Sequence, residues 1–509
     1  MLIALGCTMI AAFMYLILSK RITPVIALIL VPITMGLVAT GTGIAEDVDG
    51  GVTGAIMKAI KDFAPTAALL FFAIIYFGLM IDVGLFDPLI RFILRVVGNS
   101  PVKVVLGTAL LAAAVSLDGD GSTTFIITVS AMLPIYRRLG MSPVVLTVVA
   151  NLANGVFNIV PWGGPTIRAA TVLNVSPGEL FNPMIPGMVL GIVTVFVLSY
   201  FLGRSERKRL IKSGRTLEVV AAELGSGRRG TGTTGSTAVT GSTAVTGSAV
   251  MTGGGVMTGG GKDIGPVPPA DLTLTDDARF ELGADENAEH SDMEDGLDPN
   301  RKTLRPKLIW FNLALTVGLL VCLGLDKLPL SLVFMFAAAV ALVVNFPKQK
   351  DQADRITAHA TSIVSVVAMV FAAAVLVGVL SGTGMVTEMA NAIVSAVPAP
   401  LGPWFAVITA FLSMPLTFFL TNDAFYFGIL PILSQAAGHY GISPVEMAQA
   451  SIIGQPVHMT SPLVPAMLLL ISLARVQMAD HHKKVIWRAV VCSLVMLGTG
   501  IALGVIPIG

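Results

Sequence analysis

The chain has 509 residues, of which 54% are hydrophobic and only 12% are charged. Soluble domains carry about 25% charged residues, so the composition excludes an ordinary soluble protein and predicts a polytopic membrane protein. The formal net charge is +1, which gives no reason to expect nucleic acid as a partner.

A helix needs about 20 predominantly apolar residues to cross the hydrocarbon core of a bilayer. Ten stretches of the chain are apolar over such a length: 2–19, 22–40, 64–86, 141–172, 184–203, 307–325, 329–346, 362–382, 443–474 and 485–507. The predicted fold is therefore an all-α polytopic membrane protein.

Two further apolar stretches, 103–136 and 401–437, are interrupted in the middle by polar residues. Basic residues flank both ends of 103–136, and such residues favour the cytoplasmic side. We therefore predict a re-entrant helical hairpin that enters from that side, with "DGDGSTT" at its tip. Stretch 401–437 has no basic residue, so it is predicted to be a second hairpin that enters from outside, with "LTNDAF" at its tip.

The two hairpins belong to a repeat. Three landmarks recur with similar spacing in each half, and they are Asp120, Pro143 and Pro161 in the first and Asp423, Pro444 and Pro462 in the second. An odd number of predicted crossings separates the copies, so the repeat is inverted, a feature of many secondary transporters. The predicted halves are 1–203 and 306–509.

Residues 204–305 differ in composition from both halves. They combine a basic run, a Gly- and Thr-rich repeat and an acidic run. Such a segment cannot bury enough apolar surface to fold alone. It is predicted to be a disordered cytoplasmic linker.

Helix-breaking residues also interrupt two of the predicted spans, at 158–168 and 454–465. Non-helical backbone at membrane depth must be buried in protein or line a cavity, because its polar groups need partners. The helix ends at a break present carbonyl groups to cations and N–H groups to anions. The two breaks and the two hairpin tips are therefore predicted to meet at one binding site.

Charged residues occur in three of these four segments. Asp118, Asp120 and Asp423 suit a hard cation or a proton, and a carboxylate within a membrane span needs such a partner. Arg168 has a planar guanidinium group that fits a carboxylate. Alternative roles stay open at this stage: Asp120 or Asp423 can cap a helix, and Arg168 can be the counter-ion of an aspartate.

Other classes of protein fit less well. An intramembrane aspartyl protease would need glycine in the G-x-G-D motif at position 117, which is Leu here. His458 is compatible with either a structural hydrogen bond or a proton carrier. A channel remains an alternative, and counterflow in proteoliposomes separates it from a carrier because a pore cannot show counterflow.

Four motifs of the sequence resemble the citrate–metal:proton symporter family, CitMHS, of the ion transporter superfamily: "LDGDGSTTFIITVSAMLPIYRRLGMSP", "NGVFNIVPWGGPTIRAA", "LTNDAFYFGILPIL" and "GQPVHMTSPLVPA". The resemblance implies a non-enzymatic plasma-membrane symporter that takes up citrate complexed with Mg²⁺ or Ca²⁺, driven by protons. It also implies an elevator mechanism, no tightly bound cofactor and a possible homodimer. The alternative on the same scaffold is a sodium-coupled carrier of di- or tricarboxylates or another organic anion.

The resemblance also implies a set of site residues in the tips and breaks. The substrate-binding candidates are Ser122, Thr123, Asn158, Gly163, Pro165, Thr166, Arg168, Thr421, Asn422, His458, Thr460 and Ser461. The candidates for proton or cation coupling, and for contact with the metal of the complex, are Asp118, Asp120 and Asp423.

Overall fold

The structure is a computed structural model that describes residues 1–19, 21–44, 51–98, 100–212, 301–325 and 327–508. Within these ranges every regular element is a helix. The predicted all-α fold is confirmed. Helices are numbered here in chain order through the described residues.

The first half contains ten α-helices. They are α1 Leu2–Leu18, α2 Pro24–Gly41, α3 Gly51–Asp82, α4 Asp87–Val97, α5 Pro101–Val115, α6 Gly121–Arg138, α7 Pro143–Phe157, α8 Gly164–Val172, α9 Pro177–Phe181 and α10 Ile185–Lys212. A one-turn 3₁₀ helix at Ser116–Asp118 follows α5, and another at Asn182–Met184 precedes α10.

The second half contains eleven α-helices among the described residues. They are α11 Ile309–Leu325, α12 Leu330–Asn345, α13 Gln349–Ala358, α14 Ala360–Gly382, α15 Met385–Ala396, α16 Phe405–Phe419, α17 Leu430–Gly438, α18 Pro444–Ser451, α19 Gln455–His458, α20 Pro465–Ala474 and α21 Met478–Ala502. Short 3₁₀ helices occur at Pro306–Leu308, Ala399–Trp404 and Ile452–Gly454, and a π-helix occurs at Ala424–Ile429.

Eight helical segments in the described part of the chain are long and apolar enough to cross a membrane. This set differs from the ten predicted spans. It includes the first arm of each predicted hairpin, Pro101–Asp118 and Pro400–Phe419. It leaves out four of the predicted spans. Spans 141–172 and 443–474 are each divided into shorter helices, and the helices in 2–19 and 329–346 have only 17 and 16 residues.

The third span is longer than predicted. Helix α3 begins at Gly51, not near residue 64, and its 32 residues extend over about 48 Å at 1.5 Å per residue. Lys58 and Lys61, which sequence analysis placed outside this span, lie within its first part. Polar residues do not end a helix whose backbone hydrogen bonds continue. The predicted start near residue 64 was therefore wrong, because it marked only where the apolar part of the helix begins.

Both predicted hairpins exist as helix pairs with a non-helical tip. Helices α5 and α6 pack against each other and are separated by the 3₁₀ turn, Gly119 and Asp120. Helix α16 ends at Phe419, and the π-helix that leads into α17 begins at Ala424. The predicted tip sequences therefore lie at the points where the helices are interrupted.

The spacing of the prolines has a structural counterpart. Pro143 and Pro444 each occupy the first turn of a helix, where proline is well tolerated. Pro161 and Pro462 each lie in the non-helical segment that follows α7 or α19. The two halves thus repeat the order hairpin, helix, break and helix.

Most of the predicted linker lies outside the described residues. Its first part is structured, because α10 continues without interruption to Lys212. Its last part is also structured: Arg301 is 8% exposed and donates hydrogen bonds to the carbonyl oxygens of Ile81 and Asp82. Arg301 also pairs with Asp87 at 3.1 Å. The predicted boundaries at 204 and 305 therefore differ from the structure. Helix α10 extends past residue 204, and Arg301 is already held against the turn that follows α3.

Helices α12 and α14 each pack along α3, and the three form a layer that contacts the first tip, α8 of the first break and the π-helix of the second hairpin. Trp162, in the first break, packs its ring against Phe77 of α3 and Phe334 of α12, with centroid separations of 5.1 and 5.4 Å. The first break is thus positioned against this layer.

Candidate functional site

Asp120 is the N-cap of α6 at the first hairpin tip. Its carboxylate accepts the backbone N–H groups of Ser122 and Thr123, each at 3.1 Å, and the Thr123 hydroxyl at 2.8 Å. The capping alternative for Asp120 is therefore what the structure shows. Both Asp120 oxygens are engaged in stabilising the start of α6.

Asp118 is placed differently from Asp120. Its Oδ1 accepts the backbone N–H of Asp120 at 2.9 Å, and its Oδ2 makes no hydrogen bond with any described residue. The side chain is half-buried. Gly119 follows with φ +82°, a left-handed conformation that favours glycine and turns the chain between the two aspartates. Asp118 is the carboxylate of this tip with capacity for a cation or proton.

The first break supports the first tip. Trp162 donates its indole N–H to the carbonyl oxygen of Leu117 at 2.8 Å. Asn154 donates to the Ser116 hydroxyl at 3.2 Å. The side chains of Trp162 and Asn154 are both buried. Trp162 and Asn154 were not among the predicted site residues, because their partners lie in another segment of the chain.

The shape of the first break depends on Gly163. A β-carbon at this position would lie 2.3 Å from the carbonyl oxygen of Asn158, which no relaxation of a flexible side chain can relieve. Pro165 lies in the first turn of α8. Thr166 donates its hydroxyl to the carbonyl oxygen of Ile159 at 2.7 Å. These candidates therefore shape the break and are not shown to face a ligand.

Arg168 of α8 reaches the second hairpin tip. Its Nε lies 2.6 Å from Asp423 Oδ1, and the two side chains are 25% and 13% exposed. The counter-ion alternative for Arg168 is thus what the structure shows. The Nε–H uses one of the five guanidinium donors, and both Nη nitrogens make no hydrogen bond with any described residue.

The second tip is capped by Thr421. Its hydroxyl accepts the backbone N–H of Ala424 at 3.2 Å, whereas Asp423 makes no capping hydrogen bond. The capping alternative therefore does not hold for Asp423, which pairs with Arg168 instead.

The second break is fixed to the second hairpin through two of its side chains. His458 Nδ1 lies 2.6 Å from the carbonyl oxygen of Thr417, and Ser461 donates to the carbonyl oxygen of Phe418 at 2.6 Å. Thr460 donates within the break, to the carbonyl oxygen of Val457 at 2.7 Å. A carbonyl oxygen only accepts, so His458 carries a proton on Nδ1. The buried imidazole thus has the structural hydrogen bond that was one of its two alternatives.

Gln455 joins three of the four interrupted segments, and sequence analysis missed it. The side chain is 0% exposed. Its Oε1 accepts from Asn158 Nδ2 at 3.0 Å, and its Nε2 donates to Asn422 Oδ1 at 3.2 Å and to the Tyr426 hydroxyl at 2.8 Å. The first break, the second break and the second tip therefore share one hydrogen-bond network.

The aspartates do not converge as a metal-binding group. In the part of the chain that the structure describes, no three side chains from His, Cys, Asp and Glu come together in a way that could hold a metal ion. Asp118, Asp120 and Asp423 are thus not one ligand set. They are distributed over two tips, and one of them, Asp423, pairs with the cationic Arg168 of α8.

An all-helical membrane chain with two hairpin tips placed against two broken helices has the architecture typical of secondary transporters. Residues 13–454 match the CitMHS family, described as citrate transporter. The chain belongs to this family of multi-pass membrane transporters and is not an enzyme.

The chain is also similar to individual members of the family. It is 43% identical over 508 residues to a citrate transporter of Bacillus subtilis strain 168, covering 99% of this chain and 100% of that protein. It is 40% identical over 508 residues, with complete coverage of both proteins, to the Mg(2+)/citrate complex secondary transporter of the same organism. Among solved structures, the chain is similar to the YdaH transporter of Alcanivorax borkumensis. The match covers 90% of this chain and 89% of that protein, with 15% sequence identity and a TM-score of 0.49.

Proposed function

We propose that this protein is a proton-coupled symporter that carries citrate, as its complex with Mg²⁺ or Ca²⁺, into the cell. The observation that carries the proposal is the position of Arg168 at the second tip. Asp423 holds its Nε edge, while both Nη nitrogens remain available for a carboxylate of the substrate. Family membership and the relative that transports a Mg(2+)/citrate complex support the same assignment.

Charge favours the complex over free citrate. Moving one charge against a membrane potential costs about 2.3 kcal/mol per 100 mV, so three ionised carboxylates would cost about 7 kcal/mol on entry. A divalent cation cancels two of those charges and leaves one. Two or more protons moving with the complex then make entry favourable.

Asp118 is the proposed proton-coupling group. It has a carboxylate oxygen that makes no hydrogen bond with any described residue, at a tip connected to the first break through Trp162 and Leu117. Asp120 and Asp423 are less suited, because one caps α6 and the other pairs with Arg168.

The same contacts favour an elevator movement. The first break is hydrogen-bonded to the first tip, and Gln455 of the second break is hydrogen-bonded both to the first break and to the second tip. These four segments would therefore move as one unit against α3, α12 and α14, with the hairpins re-entering from opposite faces. A homodimer, which the family resemblance allows, would supply a fixed support for that layer.

Uptake of labelled citrate into cells or proteoliposomes tests the substrate. Uptake should require Mg²⁺ or Ca²⁺ and fall to background when EDTA removes the metal. Equal uptake with and without EDTA would remove the complex from the account. Replacing sodium with choline separates the alternative, because a sodium-coupled carrier would lose its uptake and a proton-coupled one would not.

A further inference from the structure

The buried network around Gln455 fixes which end of each neighbouring asparagine amide faces the site. The starting point is Tyr426, whose hydroxyl donates to the carbonyl oxygen of Ser451 at 3.3 Å. A carbonyl oxygen cannot donate, so the single hydroxyl proton of Tyr426 is used there. The Tyr426 oxygen must therefore accept the hydrogen bond from Gln455, which is 2.8 Å away.

That requirement orients the Gln455 amide. Its NH₂ group must face Tyr426, so its oxygen must face Asn158. Since this oxygen only accepts, Asn158 directs its own NH₂ group to Gln455 at 3.0 Å. The second N–H of Gln455 is donated to Asn422 Oδ1 at 3.2 Å. Ser451, Tyr426 and Gln455 are all 0% exposed, so water does not compete for these donors.

The two asparagines are consequently left with opposite groups. Asn158 keeps its carbonyl oxygen, and Asn422 keeps its NH₂ group, and neither group makes a hydrogen bond with any described residue. Both residues are half-buried, in contrast to the closed core of the network. One side of the site therefore offers an acceptor and the other a donor.

The charged residues near the two asparagines follow the same arrangement, with an anion-binding group on the donor side and a carboxylate on the acceptor side. Asn422 precedes Asp423, whose partner Arg168 has two nitrogens without hydrogen bonds to described residues, so this side favours an anion. Asn158 belongs to the break whose Trp162 holds the tip that carries Asp118. The free oxygen of Asn158 suits a hard divalent cation, because such a cation prefers oxygen ligands.

From this polarity we propose that the metal–citrate complex binds in one orientation, with its metal ion toward Asn158 and its uncomplexed carboxylate toward Asn422 and Arg168. Gln455 is the positioning residue that sets this orientation without touching the substrate. The inference rests on the proposed function and assigns the two ends of its substrate to the two halves of the chain.

Two substitutions test the orientation through different readouts. Asn158→Ala removes an oxygen near the metal and should change the ratio of Mg²⁺–citrate to Ca²⁺–citrate uptake by at least about fivefold. Asn422→Ala removes a donor near the carboxylate and should raise the KM for both complexes by at least about tenfold, the effect of losing a hydrogen bond to a charged group. Its ratio between metals should stay unchanged.

Gln455→Leu should produce both effects together, because it releases both asparagines. Gln449→Leu is the matched control: this glutamine is 3% exposed and bonds the carbonyl oxygens of Glu179 and Leu180, apart from the network. It should produce neither effect in the fraction of protein that inserts. A metal ratio that changes with Asn422→Ala and not with Asn158→Ala would overturn the proposal.

A structure with bound Mn²⁺–citrate tests the orientation independently of any variant. The anomalous signal of Mn²⁺ should lie nearer Asn158 than Asn422, and the reverse position would contradict the assignment. Failure of the proposed function is recognised separately, since the unaltered protein would then take up citrate equally with metal and with EDTA.

Discussion

Arg168 and Asp423 form an ion pair, with Nε and Oδ1 2.6 Å apart, that joins the broken helix of the first half to the hairpin tip of the second. The pair brings together residues 255 positions apart in the sequence. It places a cation at a tip where helical hydrogen bonding is interrupted, and this tip is therefore the proposed anion-binding side of the site.

Breaking this pair should strongly reduce transport without preventing insertion. Asp423→Asn removes the charge that pairs with Arg168, and Arg168→Lys replaces the planar guanidinium with an ammonium group. A hydrogen bond to a charged group contributes about 1.5–3 kcal/mol, so weakening it in either way should lower citrate uptake about 10- to 100-fold. Glu388→Gln is the control, because this glutamate is exposed and forms no ion pair with a described residue. Uptake rates per inserted molecule give the comparison, and near-normal transport in both site variants would place the anion site elsewhere.

The two aspartates of the first tip should respond differently to substitution. Asp120→Ser keeps an N-cap and should retain transport, whereas Asp120→Ala should lower stability by about 1 kcal/mol. Asp118→Asn removes the proposed proton acceptor, so citrate uptake should no longer respond to an inward proton gradient. Thermal unfolding in detergent and uptake with an imposed pH gradient measure the two effects. A proton response that survives in Asp118→Asn and disappears in Asp120→Ser would exchange the assignments.

Gly163→Ala should distort the backbone of the first break and so reduce transport. The added methyl group would lie 2.3 Å from the Asn158 carbonyl oxygen, so the backbone that presents Asn158 must move. Uptake should fall at least about tenfold, as small displacements of binding groups can cost 100-fold. Gly318→Ala in α11 is the matched control, since no atom lies within 4 Å of its added carbon. Equal activity of the two variants would mean that the break is not part of the site.

The hairpins and breaks could be predicted because glycine, proline and aspartate within an apolar stretch interrupt helical hydrogen bonding and leave polar groups that need partners. The partners of these residues could not be predicted. Gln455 lies inside a motif that was recognised, yet its importance depends on Asn158 and Tyr426, which come from other segments. The boundary of α3 was also out of reach, because hydropathy locates the apolar part of a helix and says nothing of its continuation.

The proposed topology predicts the accessibility of the first hairpin. In a background without Cys7, Cys322 and Cys492, which are all of the chain's cysteines, Lys103→Cys and Arg137→Cys should both react with an impermeant thiol reagent from the cytoplasmic side only. Lys103 lies near the start of α5 and Arg137 near the end of α6, so a re-entrant hairpin would bring both to the same face of the membrane. Labelling of one of them from outside would make this pair cross the membrane instead of re-entering it.

Two-label uptake measures the central claim most directly, because it follows the metal and the citrate in the same proteoliposomes. Labelled citrate is supplied with labelled Mg²⁺ in one series and labelled Ca²⁺ in another, with an inward proton gradient. With at least one of these metals, citrate and metal should accumulate in equal molar amounts, and neither should accumulate without the other. Accumulation of citrate in both series with no accompanying metal would contradict transport of the complex.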